Sequence, residues 1–175
     1  MATPSELERL YDDHAQALFG FLLNFTRHEA DARDVLQELF LKLARHHDLL
    51  DGVAEPRAFL IRLAHNQAVD LMRRRIAREK NYDQFAAETE TVFAPSLDPD
   101  ESTFRQELAA ALAELPADQR AVVHLKLWEN MTFEAIAEAL EISPNTAASR
   151  YRYGIDKMRE RLRPLYEEIK SYGRI

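Results

Sequence analysis

The sequence predicts an all-α fold built as two small helical domains joined by a flexible acidic linker. Three observations carry this. Glycine is scarce, four in 175 residues, whereas Ala, Leu, Glu and Arg are frequent and favour helix. Apolar residues recur at three- and four-residue spacing along most of the chain, and no segment alternates for long as a half-buried strand would. Between the periodic stretches, 81–97 is rich in Ala, Glu, Thr, Pro and acid without a strong period, the composition of a tether. The domains are accordingly expected at 1–80 and 98–163, with 164–175 as a C-terminal tail.

Composition narrows the chemistry. The absence of cysteine removes disulfides, thiolate zinc sites and cysteine nucleophiles. The histidines are scattered and the acid runs solvated, so no enzyme, metal site or cofactor is expected. Met1 to Leu10 is polar and acidic, unlike a signal peptide, and no apolar run is long enough to span a bilayer; a cytoplasmic protein without membrane insertion is the expectation. The formal charge of −7 opposes strong intrinsic DNA affinity. Its distribution softens that conflict: Asn81 to Phe104 holds no Lys or Arg, while basic residues cluster at Arg73-Arg74-Arg75 with Arg78 and Lys80, and again from Arg150 to Arg163. Local basic faces with weak overall affinity call for a partner that holds the chain on DNA.

From Ser5 to about Thr26, Leu7, Leu10, Tyr11, His14, Leu18, Phe21, Leu22 and Phe25 mark one face of a helix. His28 to Asp31 interrupts, and Asp31 to Arg45 is the second helix. Its apolar set covers more of the circumference than one packing face needs. Leu41 falls beside Asp34, Gln37, Glu38 and Arg45, with Phe40 adjacent, a face suited to a protein partner. His46 to Glu55 reads as a loop with an Asp51-Gly52 turn. Pro56 opens a third helix running to about Lys80. Phe59, Leu60, Leu63, Ala64, Gln67 and Leu71 face inward, and Arg62, Asn66, Asp70 and Arg73 form an outer line that continues into Arg74. Such a stripe can grip a nucleic-acid backbone and read bases; a salt-bridged exposed helix, with Asp70 pairing Arg73 or Arg74, has the same pattern.

Asp98-Pro99 restarts order as cap and first helical residue. Phe104, Leu108, Ala111, Leu112 and Leu115 mark one helix, and Pro116 opens the next with Val122, Val123, Leu125, Leu127 and Trp128. Thr132 then caps a short helix bearing Phe133, Ile136, Ala137 and Leu140. Ser143-Pro144 starts another immediately after it. That last helix sends Ala147, Tyr151, Ile155, Met158 and Leu162 inward. Asn145, Thr146, Ser149, Arg152 and Tyr153 point outward with Arg150 on the flank, which suits a groove of duplex DNA. A solvated helical hairpin would also satisfy this stretch taken alone.

Together these motifs resemble the extracytoplasmic-function group of bacterial sigma factors, which retain only sigma regions 2 and 4. The resemblance lies in Asp31 to Leu43, Pro56 to Arg74, Leu115-Pro116-Ala117-Asp118-Gln119-Arg120, and the hairpin with Asn145-Thr146-Ala147-Ala148-Ser149-Arg150, in that order along most of the chain. It implies a transcription initiation factor that binds core RNA polymerase through Asp34, Gln37, Glu38, Phe40 and Leu41. Arg62, Asn66, Asp70, Arg73 and Arg74 would open and read the minus-10 promoter element. Asn145, Thr146, Ser149, Arg150 and Arg152 would read minus-35 in the major groove. Members are commonly held by an anti-sigma protein, and this chain is expected to act as a monomer. Phe59 stands where the family often has Trp, Ala148 where many have Lys, and Glu141 where a turn glycine is frequent. The last substitution costs about 1 kcal/mol if φ is positive. The alternative is a helix-turn-helix regulator that binds its operator as a dimer without polymerase.

Overall fold

The computed structural model describes residues 4–79 and 99–172, with side-chain surroundings for 6–78 and 103–168. The linker 81–97 and the Asp98 cap lie outside the described residues. Seven α-helices and one 3-10 turn make up the described chain: α1 Pro4–Thr26, α2 Glu29–Arg45, the 3-10 turn His47–Leu50, α3 Pro56–Glu79, α4 Pro99–Ala113, α5 Ala117–Leu127, α6 Phe133–Leu140 and α7 Pro144–Tyr172.

Helix α1 is amphipathic at its start and buried all round near its end, where Phe21 to Phe25 are all inaccessible. A helix enclosed on every side must be central; α2, α3 and α5 all pack against α1. Tyr11, expected inside, is exposed and meets Phe40 edge-on at 4.9 Å. The second helix begins two residues before the expected Asp31, because the His28 ring Nδ1 accepts the Asp31 N–H at 3.3 Å and so supplies a cap outside the usual residue set. Glu29 and Asp31 in its first turn and Lys42 and Arg45 in its last complement the helix dipole.

The second unit is built around Ala111, Leu112, Leu115, Val123 and Met158, with Ile155, Trp128 and Leu162 packed against them. Gly154 lets α7 approach α5: a Cβ there would stand 2.7 Å from Val123 Cγ2. Thr132 caps α6 by accepting the Ala135 N–H at 3.1 Å, and Ser143 caps α7 by accepting that of Thr146 at 3.0 Å. Between these helices Glu141 takes the left-handed conformation, φ 55°, that a glycine would hold without strain. Phe104 departs from its expected inner position and is exposed. The helix continues past residue 163 to Tyr172, and Leu165 and Tyr166 join Phe104, Ile155, Met158 and Leu162 around an apolar groove of about 500 Å³.

The two units share a core. Ala121, Val122, Leu125, Met131, Ile136, Ala139, Leu140 and Ala147 belong to the same buried cluster as the interior of α1 to α3. Helix α5 therefore works with two faces, Val123 toward α7 and Val122 and Leu125 toward the first unit. Helix α3 is likewise packed by both units, by α1 and α2 of its own and by α6 of the other. This is why Ile61 and Ala68, outside its expected inner set, are also buried.

Candidate nucleic-acid and partner interfaces

Three polar faces were expected, and all are formed by single helices. On α2, Asp34, Gln37, Glu38 and Leu41 are exposed, with 40% of Leu41 accessible. Phe40 turns inward and is only 9% accessible; it forms the wall of a groove rather than a protruding contact. That groove, about 860 Å³, runs between α1 and α2 and is lined by Tyr11, Gln16, Phe19, Leu36, Gln37, Phe40 and Leu41, with Asp12 and Arg33 at its border. An apolar floor with two amides and charges around it fits the side chains of a partner helix.

On α3, Asn66, Asp70, Arg73 and Arg74 are exposed and Arg62 is half-buried, its guanidinium 5.4 Å from the centre of the Phe59 ring. Arg73 and Asp70 approach to 4.0 Å, a loose exposed pair worth little against solvent screening. Arg73 and Arg74 thus remain able to hold phosphates. Asn66 is engaged: its Nδ2 donates to Glu141 Oε2 of the helix turn at 3.2 Å.

On α7, Asn145 and Arg152 are exposed, and Arg152 lies 5.3 Å from the Tyr153 ring centre. Thr146 and Ser149 are half-buried, and the Thr146 hydroxyl meets that of Ser143 at 2.8 Å within the cap. Arg150 forms a 3.0 Å ion pair with Asp118 at the start of α5. The face can donate from Asn145 and Arg152 at once, whereas Arg150 must exchange a carboxylate for any phosphate or base.

A fourth constellation was not anticipated from the sequence. Between α1 and α5, Asn24 Nδ2 donates to His124 Nδ1 at 2.6 Å, and His124 is 3% exposed. This leaves the neutral ring's proton on Nε2, 3.7 Å from Glu129 Oε1. Arg120, 5% exposed, donates to the carbonyls of Leu115 at 2.8 Å and Phe25 at 3.0 Å, while Arg27 reaches the Ala113 carbonyl at 3.1 Å. Burial lowers the Arg120 pKa to about 10, which still keeps it charged near neutrality. Arg57 at the start of α3 donates to the Glu129 carbonyl at 2.7 Å and pairs with its carboxylate. The His124 ring at 3.7 Å, then Arg57, hold the Glu129 carboxyl below its ordinary range against the opposing effect of burial. The available signal was a polar residue inside an apolar run, Asn24 among Leu22, Leu23 and Phe25, and His124 between Val123 and Leu125.

Among the described residues, no three His, Cys, Asp or Glu side chains gather to hold a metal, and no helix is long and apolar enough to cross a membrane.

An all-helical chain whose α2 and α3 faces precede a helix-turn-helix has the architecture of a two-region sigma factor. The Sigma-70 region 2 family model matches residues 10–78, and the Sigma-70 region 4 model matches residues 105–158. The ECF RNA polymerase sigma factor SigL of Mycobacterium tuberculosis is 34% identical over 91% of this chain and 90% of its own length. The RNA polymerase sigma factor CarQ of Myxococcus xanthus is 33% identical over 93% and 92%. A solved structure of the sigma factor RpoE in complex with the anti-sigma factor NepR, from Bartonella quintana, has the same fold, with a TM-score of 0.75 at 22% identity over 91% of this chain and 95% of that one. The chain belongs to the ECF sigma factors. It is an alternative sigma factor, which binds core RNA polymerase and directs promoter recognition and transcription initiation. The dimeric operator-binding alternative is not favoured.

Proposed function

We propose that the three faces divide the work of initiation. The α2 face, Asp34, Gln37, Glu38 and Leu41 with Phe40 as groove wall, docks on core RNA polymerase. Arg62, Asn66, Asp70, Arg73 and Arg74 engage the minus-10 element. Asn145, Thr146, Ser149, Arg150 and Arg152 engage minus-35 as duplex. Residues 1–80 and 98–163 act as the two functional regions, with 81–97 as their linker and 164–175 as the tail. The observation that carries the docking assignment is the open groove beside exposed Leu41, an apolar surface bordered by Asp12, Arg33 and the amides of Gln16 and Gln37.

Polymerase would supply most of the nonspecific DNA grip, in keeping with a chain of formal charge −7. The chain acts as a monomer in the cytoplasm, without catalysis of its own. An anti-sigma partner is supported by a solved sigma factor of the same fold in complex with one, RpoE with the anti-sigma factor NepR; CnrH, also of this fold, is solved in complex with the cytosolic domain of CnrY. Gel filtration of the chain with bacterial core RNA polymerase tests the reading. Co-elution at one chain per polymerase is expected; separate elution of a folded, unaggregated chain overturns it.

A further inference from the structure

The run Arg73-Arg74-Arg75 is uniform in sequence and divided in the structure. Arg73 and Arg74 are exposed, whereas Arg75 is half-buried, in line with Ala64, Ala68 and Leu71 along the inner face of α3. An arginine that ends an apolar line needs a partner from another element. Asp31, in the first turn of α2, is that partner: Arg75 Nη1 donates to its Oδ2 at 2.7 Å. The Asp31 side chain is 19% exposed, so solvent and salt screen this pair less than the loose surface pair of Asp70 and Arg73. Asp31 is itself held in place. Its N–H donates to His28 Nδ1 at 3.3 Å, and the His28 N–H donates to the Thr26 hydroxyl at 3.3 Å. One carboxylate thus ties the start of α2 to the far end of α3. Just beyond it Ile76 is 54% exposed, and Ala77 and Arg78 are exposed as well, so the tie stands where α3 leaves the body of its unit.

We propose that Asp31 is a positioning residue for promoter binding: by holding Arg75 on the inner side of α3 it fixes the end of that helix and presents Arg73 and Arg74 to the phosphates of the minus-10 element. Successive side chains are turned by about 100°, so an inward Arg75 sends both of its neighbours toward solvent. The last turn of a helix frays when nothing holds it, and arginines on a frayed turn lose affinity to the ordering that binding then requires. Charge alone predicts the contrary effect, because a carboxylate near a DNA-binding face repels phosphate. The two effects of removing Asp31 therefore differ in sign. This inference rests on the reading of Arg73 and Arg74 as minus-10 contacts, and neither Asp31 nor Arg75 belongs to the docking or reading sets given above.

The test uses the chain bound to core polymerase and a labelled fork-junction DNA carrying the minus-10 element of a mapped promoter. Asp31→Asn removes a negative charge and should nonetheless weaken DNA binding about fivefold, the scale of one lost charge-assisted hydrogen bond. Arg75→Gln should weaken it equally, and the double variant no further, since all three break the same tie. The slope of log affinity against log salt should become shallower by about one as phosphate contacts are lost, with co-elution with core polymerase retained; a general loss of folding would not spare that co-elution. Equal or tighter DNA binding by Asp31→Asn overturns the positioning role. So does a double variant whose loss is the sum of the single losses, which would make Arg75 a phosphate contact in its own right. In the free chain, a nitroxide on Ile76→Cys, the one thiol in a sequence without cysteine, should gain mobility in Asp31→Asn and in Arg75→Gln. Unchanged mobility in both overturns the tie even where Asp31→Asn fails to bind polymerase. Arg73→Ala combined with Arg74→Ala leaves the tie intact and tests the reading beneath it. Unchanged DNA binding there overturns the assignment of α3 to minus-10 and the role of Asp31 with it, whereas loss there beside no loss in Asp31→Asn overturns the positioning role alone.

Discussion

Helices α2 and α3 belong to one unit and both carry polar outer stripes, yet they stand in opposite situations. The α2 face opens onto solvent beside an apolar groove, whereas on α3 the amide of Asn66 is bonded to Glu141 of the α6–α7 turn while Asp70, Arg73 and Arg74 stay exposed. The composition of a stripe tells what it can bind. Whether it is free to bind is decided by a helix more than seventy residues away, as the span from Asn66 to Glu141 shows. A substitution on the α2 face should therefore act through the partner alone, whereas one around α3 acts on both the partner and the packing of the chain on itself.

The largest effect is expected at the open face. Leu41→Arg puts a charge on the edge of the docking groove and should weaken polymerase binding by about 2–4 kcal/mol, enough to abolish co-elution. Its circular dichroism spectrum should match the parent's and its stability stay within about 0.5 kcal/mol of it, as for other surface changes. Equal co-elution of variant and parent would remove α2 as the docking face.

At the covered junction the order of effects reverses, with stability falling first. Arg120→Ala leaves the Leu115 and Phe25 carbonyls without their charged donor, a loss of about 3 kcal/mol or about 6–12 °C in melting temperature for a chain of this size. An unchanged melting curve would show that Arg120 contributes little to the junction. Smaller still is the effect of Asn66→Ala or Arg150→Ala, each expected to lower promoter-specific transcription about tenfold, the scale of one lost base contact, with core polymerase binding retained. Run-off transcription on a mapped promoter, measured beside co-elution, separates the two faces; equal loss in both assays would contradict the division.

Acid sharpens the contrast most gently. His65 on α3 is held below its ordinary pKa of 6.5, chiefly by burial, with Asn66, Asp118 and Glu141 opposing and Arg150 reinforcing the shift. A depressed histidine pKa means that the unfolded chain takes up the proton first. The stability contribution is thus complete above 6.5 and is lost as pH falls toward the folded value. The depressed carboxyl of Glu129 adds a second loss, beginning below its ordinary value of 4.5. Melting temperature should fall between pH 7 and pH 5, about neutral to mildly acid conditions, and His65→Gln should flatten that slope while leaving the lower window in place. An identical slope in the variant would exclude His65 as its source.

The helices were legible because each carries its own punctuation. Pro56 begins α3, Thr132 and Ser143 cap α6 and α7, and Ala147 and Met158 are buried at the expected spacing. The start of α2 was not, since a histidine cap lies outside the common set. Tyr11 and Phe104 were read as core because helical periodicity identifies an apolar face without saying whether a partner element covers all of it; both line open grooves. The same limit hid the junction. Asn24 and His124 are a hundred positions apart, and nothing local to either predicts that one ring nitrogen will accept from the other's amide at 2.6 Å.

By itself, the sequence determined the helices, their order, the polar stripes and the kinship with sigma factors, because periodicity, caps and motif spacing are encoded over a few residues at a time. Only the tertiary structure decided that α5 serves two cores, that Phe40 is buried in the wall of a groove while Leu41 stays exposed at its edge, and that Glu141 accepts from Asn66. Those outcomes depend on which surfaces meet across long stretches of chain, where apolar burial and pairing of buried polar groups select one arrangement from several compatible with the same local pattern.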